Sequence, residues 1–200
     1  MLDKQRVTFA HPREDGISLD RCIQRRRSVR GFSDRALTES ELGQLLWAAQ
    51  GVTSTDGKRA APSAGALYPL ELYVAVGKVG AIPVGIYHYL TRHHALAPIA
   101  VGLSRENLVE AARGQDWIAT APAVVCIAAV FERTSVKYGQ RGRGYVYMEA
   151  GHAAENLMLQ AVALGLATTM VGAFDDDEVK RLLHLGRGEI PLCLVPVGAP

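Results

Sequence analysis

The order of apolar and polar positions divides the chain into helical and extended segments. Leu42, Leu45, Leu46 and Ala49 recur at three- and four-residue spacing behind Thr38-Glu39-Ser40-Glu41, whose Thr and Glu three positions apart form a capping box; Gly51 ends that helix. Leu70 to Val76 alternates in part and predicts a strand. Gly85 to Leu90 and Ala95 to Val101 flank Thr91-Arg92-His93-His94, which predicts a hairpin with both histidines exposed at its tip. Ala123 to Val130 is apolar throughout, as expected of a strand covered on both faces. Tyr145 to Leu164 reads as the longest helix, roughly five turns, stopped by Gly165.

Shorter segments complete the pattern. Ser18 is placed to cap a helix running to about Arg27, with Leu19 and Ile23 on one face, and Ser104 to cap one running to about Arg113. Ala167 to Gly172 and Leu192 to Val197 read as strands, and Asp175 as the cap of a helix from Asp176 to about Leu185. Residues 52–69 form a long loop and residues 131–144 a polar connection. Residues 1–17, polar and irregular, read as an N-terminal arm ahead of one domain over 18–200. Helices mixed with strands, and a hairpin among them, predict an α+β or three-layer arrangement.

Composition narrows the classes. Of 200 residues, 48% are hydrophobic and 21% charged, so the chain is long enough and apolar enough for one buried core. A formal charge of +2 argues against a general nucleic-acid or membrane-surface protein. Cys22, Cys126 and Cys193 are far apart, form no CxxC, and read as small buried residues of a reducing compartment. No apolar run reaches the ~18 residues of a membrane span, and the first dozen residues lack a signal-peptide core, so a cytoplasmic protein is expected.

Against this near-neutral background one stretch stands out. Arg25-Arg26-Arg27-Ser28-Val29-Arg30 gathers four arginines in six positions around a serine. Planar guanidinium donors and a hydroxyl suit the phosphate end of a cofactor, or form a solvated basic turn. The loop 52–69 ends in Pro62-Ser63-Ala64-Gly65-Ala66-Leu67-Tyr68-Pro69, small residues that let backbone approach a ligand. Gly51 to Lys58 only imitates a phosphate loop: the glycines are one residue too far apart, and Arg59 stands where Ser or Thr would bind magnesium. Gly139, Gly142 and Gly144 have the wrong spacing for a dinucleotide fingerprint. Glu149 and His152 form an ExxH pair without the second pair a di-iron bundle needs. Ala150, Gly151, Ala153, Ala154, Ala161 and Ala163 make the long helix small-sided, as in a central helix or a dimer seam.

Together, Arg26-Arg27-Ser28-Val29-Arg30-Gly31-Phe32, Pro62 to Pro69, Lys137-Tyr138-Gly139, Glu149-Ala150-Gly151-His152, Gly172-Ala173-Phe174-Asp175 and Pro196-Val197-Gly198 carry a resemblance. From about Leu19 to Val197 the chain resembles the nitroreductase family of flavin mononucleotide (FMN) enzymes. Within that family it looks most like the azoline dehydrogenases, which make thiazoles and oxazoles in peptides. The resemblance implies a three-layer α-β-α sandwich with a mostly antiparallel sheet, built as an intertwined homodimer with two flavins at the interface. It implies that Arg26 and Arg30, with Arg27 and Ser28, bind the flavin phosphate, ribityl chain or pyrimidine edge. Ser63, Ala64, Gly65 and Leu67 would line the flavin from the partner subunit. Gly172 and Ala173 would present backbone N–H groups near flavin N5, where a donor favours the reduced ring. Lys137 and Tyr138 fall where the azoline dehydrogenases carry a Lys-Tyr pair implicated in catalysis.

Two departures accompany the resemblance. Many nitroreductases have asparagine where Ala66 stands, and members often carry a basic residue after the last strand, where Gly198-Ala199-Pro200 supplies none. Either the arginines near residue 26 suffice for the phosphate or flavin is bound more weakly. The expected activity is hydride transfer through flavin N5 to or from a small organic molecule or a peptide azoline, with NADH or NADPH as a candidate donor. A flavin-fragmenting or dehalogenating branch, and a non-catalytic flavin-binding or storage dimer, are the alternatives.

Overall fold

Two apolar strands form the middle of the molecule, and their side chains are sorted to opposite faces by the two-residue period of extended backbone. The computed structural model describes residues 6–13, 16–102 and 105–200. Strand β2 (Leu70–Val76) pairs antiparallel with β5 (Ala123–Val130) over its whole length. Leu70, Leu72 and Val74 of β2 join Ala123, Val125 and Ile127 of β5 in one core, whereas Tyr73, Ala75, Val124 and Cys126 belong to a second core on the other face. A strand needed on both faces has no polar face to show, which is why 123–130 reads as an unbroken apolar run.

The sheet extends from this centre. β3 (Gly85–Leu90) and β4 (Ala95–Val101) form the expected hairpin, and β7 (Glu189–Gly198) flanks β5 on the other side. The short strands β1 (Val7–Thr8) and β6 (Ala167–Thr168) complete a seven-stranded sheet of order β1-β4-β3-β2-β5-β7-β6, with every named pairing antiparallel. On the first face lie α2 (Glu39–Gln50) and α5 (Gly142–Ala163); on the second, α3 (Arg105–Ala111) and α6 (Asp176–Leu182). The architecture is the three-layer α-β-α sandwich expected.

Local signals explain two helix starts. Thr38 Oγ1 accepts from Glu41 N–H at 3.1 Å while Glu41 Oε2 accepts from Thr38 N–H at 2.7 Å, the reciprocal capping box. Asp175 Oδ1 accepts from Glu178 N–H at 3.0 Å and starts α6. The three cysteines are free and buried.

Several expectations are corrected. Helix α1 (Leu19–Arg25) stops two residues early, Ser18 makes no side-chain cap, and the shared face of Leu19 and Ile23 points to solvent, with Cys22 as the inward residue. Ser104 lies outside the described residues. His93 is exposed, but His94 is half-buried in a left-handed turn, with Nδ1 2.8 Å from Tyr89 Oη and its ring against Phe9. Burial lowers the His94 pKa. Within the segment read as an arm, Val7 and Thr8 pair with β4 and Phe9 is buried. Residues 131–144 are not a plain connection: α4 (Glu132–Tyr138) and a 3-10 turn lead directly into α5, which begins at Gly142. The strand expected over 167–172 is two residues long, followed by a single bridge from Val171 to Leu194.

Candidate functional site

The site residues fall into two groups. The first lies where the chain leaves α1. The backbone runs extended beyond Arg26, Ser28 forms a parallel bridge to Thr168, and Val29 N–H donates to Thr168 O at 3.0 Å. This stitches the arginine segment to the β6 end of the sheet. Arg27 turns its guanidinium back on Gln24 O and Arg26 O, and Arg26 lies 3.6 Å from Glu155 of α5. Arg30 and Ser28 are exposed, and Arg30 has no hydrogen bond or ion pair among the described residues.

Farther along the same edge, Val171 exchanges both backbone hydrogen bonds with Leu194, at 2.8 and 2.9 Å. Gly172 and Ala173 then stand exposed before Phe174 is buried. Neither of their N–H groups finds an acceptor among the described residues, and a side chain added at Gly172 would meet nothing within 4 Å. Ala173 O is held by Gln115 Nε2 at 3.0 Å, which fixes the peptide plane. Backbone donors and a guanidinium without partners among the described residues, with a serine hydroxyl beside them, suit an anionic or acceptor-rich ligand.

The second group is built on the loop 52–69. Ser63 Oγ accepts from Tyr68 N–H at 2.9 Å and closes a tight 3-10 turn, Ala64–Ala66. Gly65, Ala66 and Tyr68 have φ of 63°, 54° and 48°. Left-handed backbone at two non-glycine residues costs of order 1–3 kcal/mol each and persists where the surroundings enforce it. The neighbours come from α4. A Cβ at Gly65 would fall 2.8 Å from Tyr138 Oη and 3.0 Å from Lys137 Nζ, so both reactive ends of the Lys-Tyr pair lie on the loop. Tyr138 also packs edge-on to Tyr145, with centroids 5.1 Å apart.

An ion-pair network that sequence reasoning missed holds α4 in place. Arg133 donates to Tyr68 O at 3.0 Å and pairs with Glu71 at 2.7 Å; Glu71 also meets His88 Nε2 at 2.9 Å. Burial would raise the Glu71 pKa, but the hydrogen bonds from His88 and Arg133 outweigh it and hold the carboxyl below its ordinary value. The available signal was a carboxylate inside an apolar strand, on the same face as Tyr73 and Ala75.

Beneath the loop lies a cavity of about 280 Å³, bordered by Ser63, Ala64, Tyr145, Glu149 and His152. Glu149 is 2% exposed and its Oε1 has no partner among the described residues. Burial pushes its pKa up to about 7, with Ser63 and Arg59 pulling the other way. The Arg59 guanidinium lies 4.5 Å from the Tyr68 ring centroid and donates to Gln50 Oε1 at 2.8 Å.

The chain thus brings Arg26, Arg27, Ser28 and Arg30 to one edge with Gly172 and Ala173, and Lys137 and Tyr138 to the Ser63–Leu67 loop. No hydrogen bond or ion pair among the described residues joins the two groups. Also among these residues, no cluster of three His, Cys, Asp or Glu could hold a metal ion, and no helix is long and apolar enough to cross a membrane.

Comparison with known proteins completes the picture. The model of the Nitroreductase family matches residues 23–199. A protein of Methanocaldococcus jannaschii named for the nitroreductases is 45% identical over 187 residues, covering 94% of this chain and 93% of the relative. The Escherichia coli Microcin B17-processing protein McbC is 28% identical over 146 residues, 69% of this chain; the match spans about half of McbC, 53% of its length. Among solved structures, a chain of the E. coli Microcin synthetase McbBCD complex with truncated pro-MccB17 bound superposes with a TM-score of 0.77 at 26% identity, covering 95% of this chain and 75% of the other.

Proposed function

Because the chain belongs to the nitroreductase family, an oxidoreductase family, we propose that it is an FMN-dependent enzyme acting on a small organic molecule or a peptide azoline. The observation that carries this reading is the unpartnered donor set at the edge holding Ser28: the Arg30 guanidinium and the Gly172 and Ala173 N–H groups. It fits a ligand with a phosphate at one end and an acceptor-rich ring at the other. Arg26, Arg27, Ser28 and Arg30 would hold the phosphate and ribityl end, and Gly172 and Ala173 the ring. FMN, when bound, supplies the hydride acceptor and donor.

The second group would complete the site from a partner subunit. Within one chain no hydrogen bond or ion pair among the described residues links it to the first, which accords with a homodimer in which Ser63, Ala64, Gly65 and Leu67 of one copy face the arginine edge of the other. Tyr147 and Met148 of the small-sided α5 are large, exposed apolar side chains suited to such a seam. In the dehydrogenase direction the substrate loses a hydride and a proton, and Lys137 or Tyr138 takes the proton from carbon. The position of both side-chain ends on the Ser63–Leu67 loop supports that role. In the reductase direction NADH or NADPH is the donor and the same pair returns a proton to the product. The likeness to McbC supports a peptide azoline; the match to the M. jannaschii protein supports a smaller acceptor.

The visible spectrum of the purified protein tests the proposal. A flavin spectrum that bleaches with NADH or NADPH under argon is expected of the reductase; one that bleaches only with a peptide azoline, of the dehydrogenase. A colourless protein that does not take up FMN refutes both. Lys137→Ala is expected to retain FMN and slow turnover. Loss of FMN instead would move Lys137 from proton transfer to cofactor binding.

A further inference from the structure

The Glu149-Ala150-Gly151-His152 motif plays no part in that proposal, yet it borders the cofactor loop. Glu149 is buried, its Oε1 lacks a partner among the described residues, and the residue borders the cavity beneath Ser63 and Ala64. A carboxylate in such a place is expensive; a carboxylic acid is far less so. Ser63 Oγ already accepts from Tyr68 N–H, so its own hydrogen is available to donate. Arg59 acts on Glu149 from the loop, with Tyr68 against its guanidinium; Tyr145 and His152 of α5 border the same cavity, and Lys137 and Tyr138 of α4 lie against Gly65, two residues from Ser63.

We propose that Glu149 is a positioning residue whose protonation decides whether the Ser63 hydroxyl donates inward to the carboxyl or outward to a ligand in the cofactor site. When Glu149 is ionised, Ser63 is its hydrogen-bond donor. When Glu149 is protonated, its own O–H can point to Ser63 Oγ, and the serine hydrogen turns to an acceptor on the ligand. The inference rests on the flavin reading of the site. Burial holds the Glu149 carboxyl at about 7, so the outward form prevails below neutrality. Ligand affinity therefore falls as pH rises through that value. One neutral hydrogen bond corresponds to roughly two- to tenfold in affinity.

Two measurements on the purified, flavin-free chain separate this inference from its premise. Infrared titration of the carboxyl stretch should show one group titrating near pH 7 in the wild type and none there in Glu149→Gln. Fluorescence quenching should show riboflavin, which lacks the titrating phosphate of FMN, bound two- to tenfold more tightly at pH 6 than at pH 8. Glu149→Gln and Ser63→Ala should each abolish that difference. A pH dependence that persists in Glu149→Gln overturns the proposal, as does a Glu149 carboxyl that titrates in the usual carboxylate range. If neither FMN nor riboflavin binds at either pH, the flavin reading and the role of Ser63 both fall, and the infrared titration still reports on Glu149 alone.

Discussion

Replacing Gly65 with alanine tests whether the Lys-Tyr pair must sit where the loop places it. Gly65 has φ of 63°, so an L side chain there costs of order 1 kcal/mol in backbone strain. In a chain of this size that corresponds to a fall in Tm of roughly 2–4 °C. The added methyl would lie 2.8 Å from Tyr138 Oη, closer than such contacts allow, and 3.0 Å from Lys137 Nζ, a tight contact. Both are the far ends of side chains and can retreat by about half an ångström or more without unfolding α4. Misplacement of reacting groups on the scale of 1 Å costs up to ~100-fold in rate. Gly65→Ala should therefore lose little stability and retain its flavin, but turn over about 10- to 100-fold more slowly. Gly57→Ala is the control: φ is 81°, with nothing within 4 Å of the added methyl, so the strain is similar and the Lys-Tyr pair is untouched. Melting followed by circular dichroism, flavin absorbance and single-turnover rates read the three quantities. If Gly65→Ala turns over as fast as Gly57→Ala, the pair does not act from this position.

Two further substitutions probe the rest of the site. Arg30→Ala should leave Tm unchanged, because the side chain is exposed and unpartnered, yet weaken FMN binding by roughly 1.5–3 kcal/mol if one charged hydrogen bond is lost; unchanged affinity in a fluorescence titration would remove Arg30 from the phosphate site. Glu71 has its pKa lowered in the fold, so its carboxylate adds stability at neutral pH that disappears as pH falls through the acid range below its ordinary value. Urea midpoints at pH 7 and pH 4 should thus converge in Glu71→Gln relative to the wild type, and an identical pH difference in both proteins would show that the Arg133–Glu71–His88 network is not coupled to folding.

Much of the fold was legible because its causes are local. The Thr38/Glu41 box, the Asp175 cap and the apolar run 123–130 act within a few residues, and each element starts where its pattern puts it, although the helix behind Asp175 ends at Leu182, short of the expected Leu185. The reading failed where neighbours distant in sequence overrode local preference. Gly142 and Gly144 argue against a helix, yet α5 begins at Gly142, with the added-methyl position of that residue 3.0 Å from the Ser135 backbone of α4. His94 reads as an exposed turn residue until Phe9, distant in sequence but next to the adjacent strand β1, packs on its ring.

The candidate site divides in the same way. The amino-acid sequence by itself determined which chemistry the chain carries: guanidinium groups around Ser28, small residues at 63–67, and an amine beside a phenol at 137–138. Tertiary structure alone decided where that chemistry meets. It placed Lys137 and Tyr138 on Gly65, turned Ala66 and Tyr68 into left-handed backbone, anchored α4 through Arg133 to Glu71, and closed Pro62 to Ala64 over Glu149. The physical reason is range. Propensity, capping and periodicity are settled by neighbours along the chain, whereas burial, strain and the protonation of a carboxyl depend on what the fold brings against it.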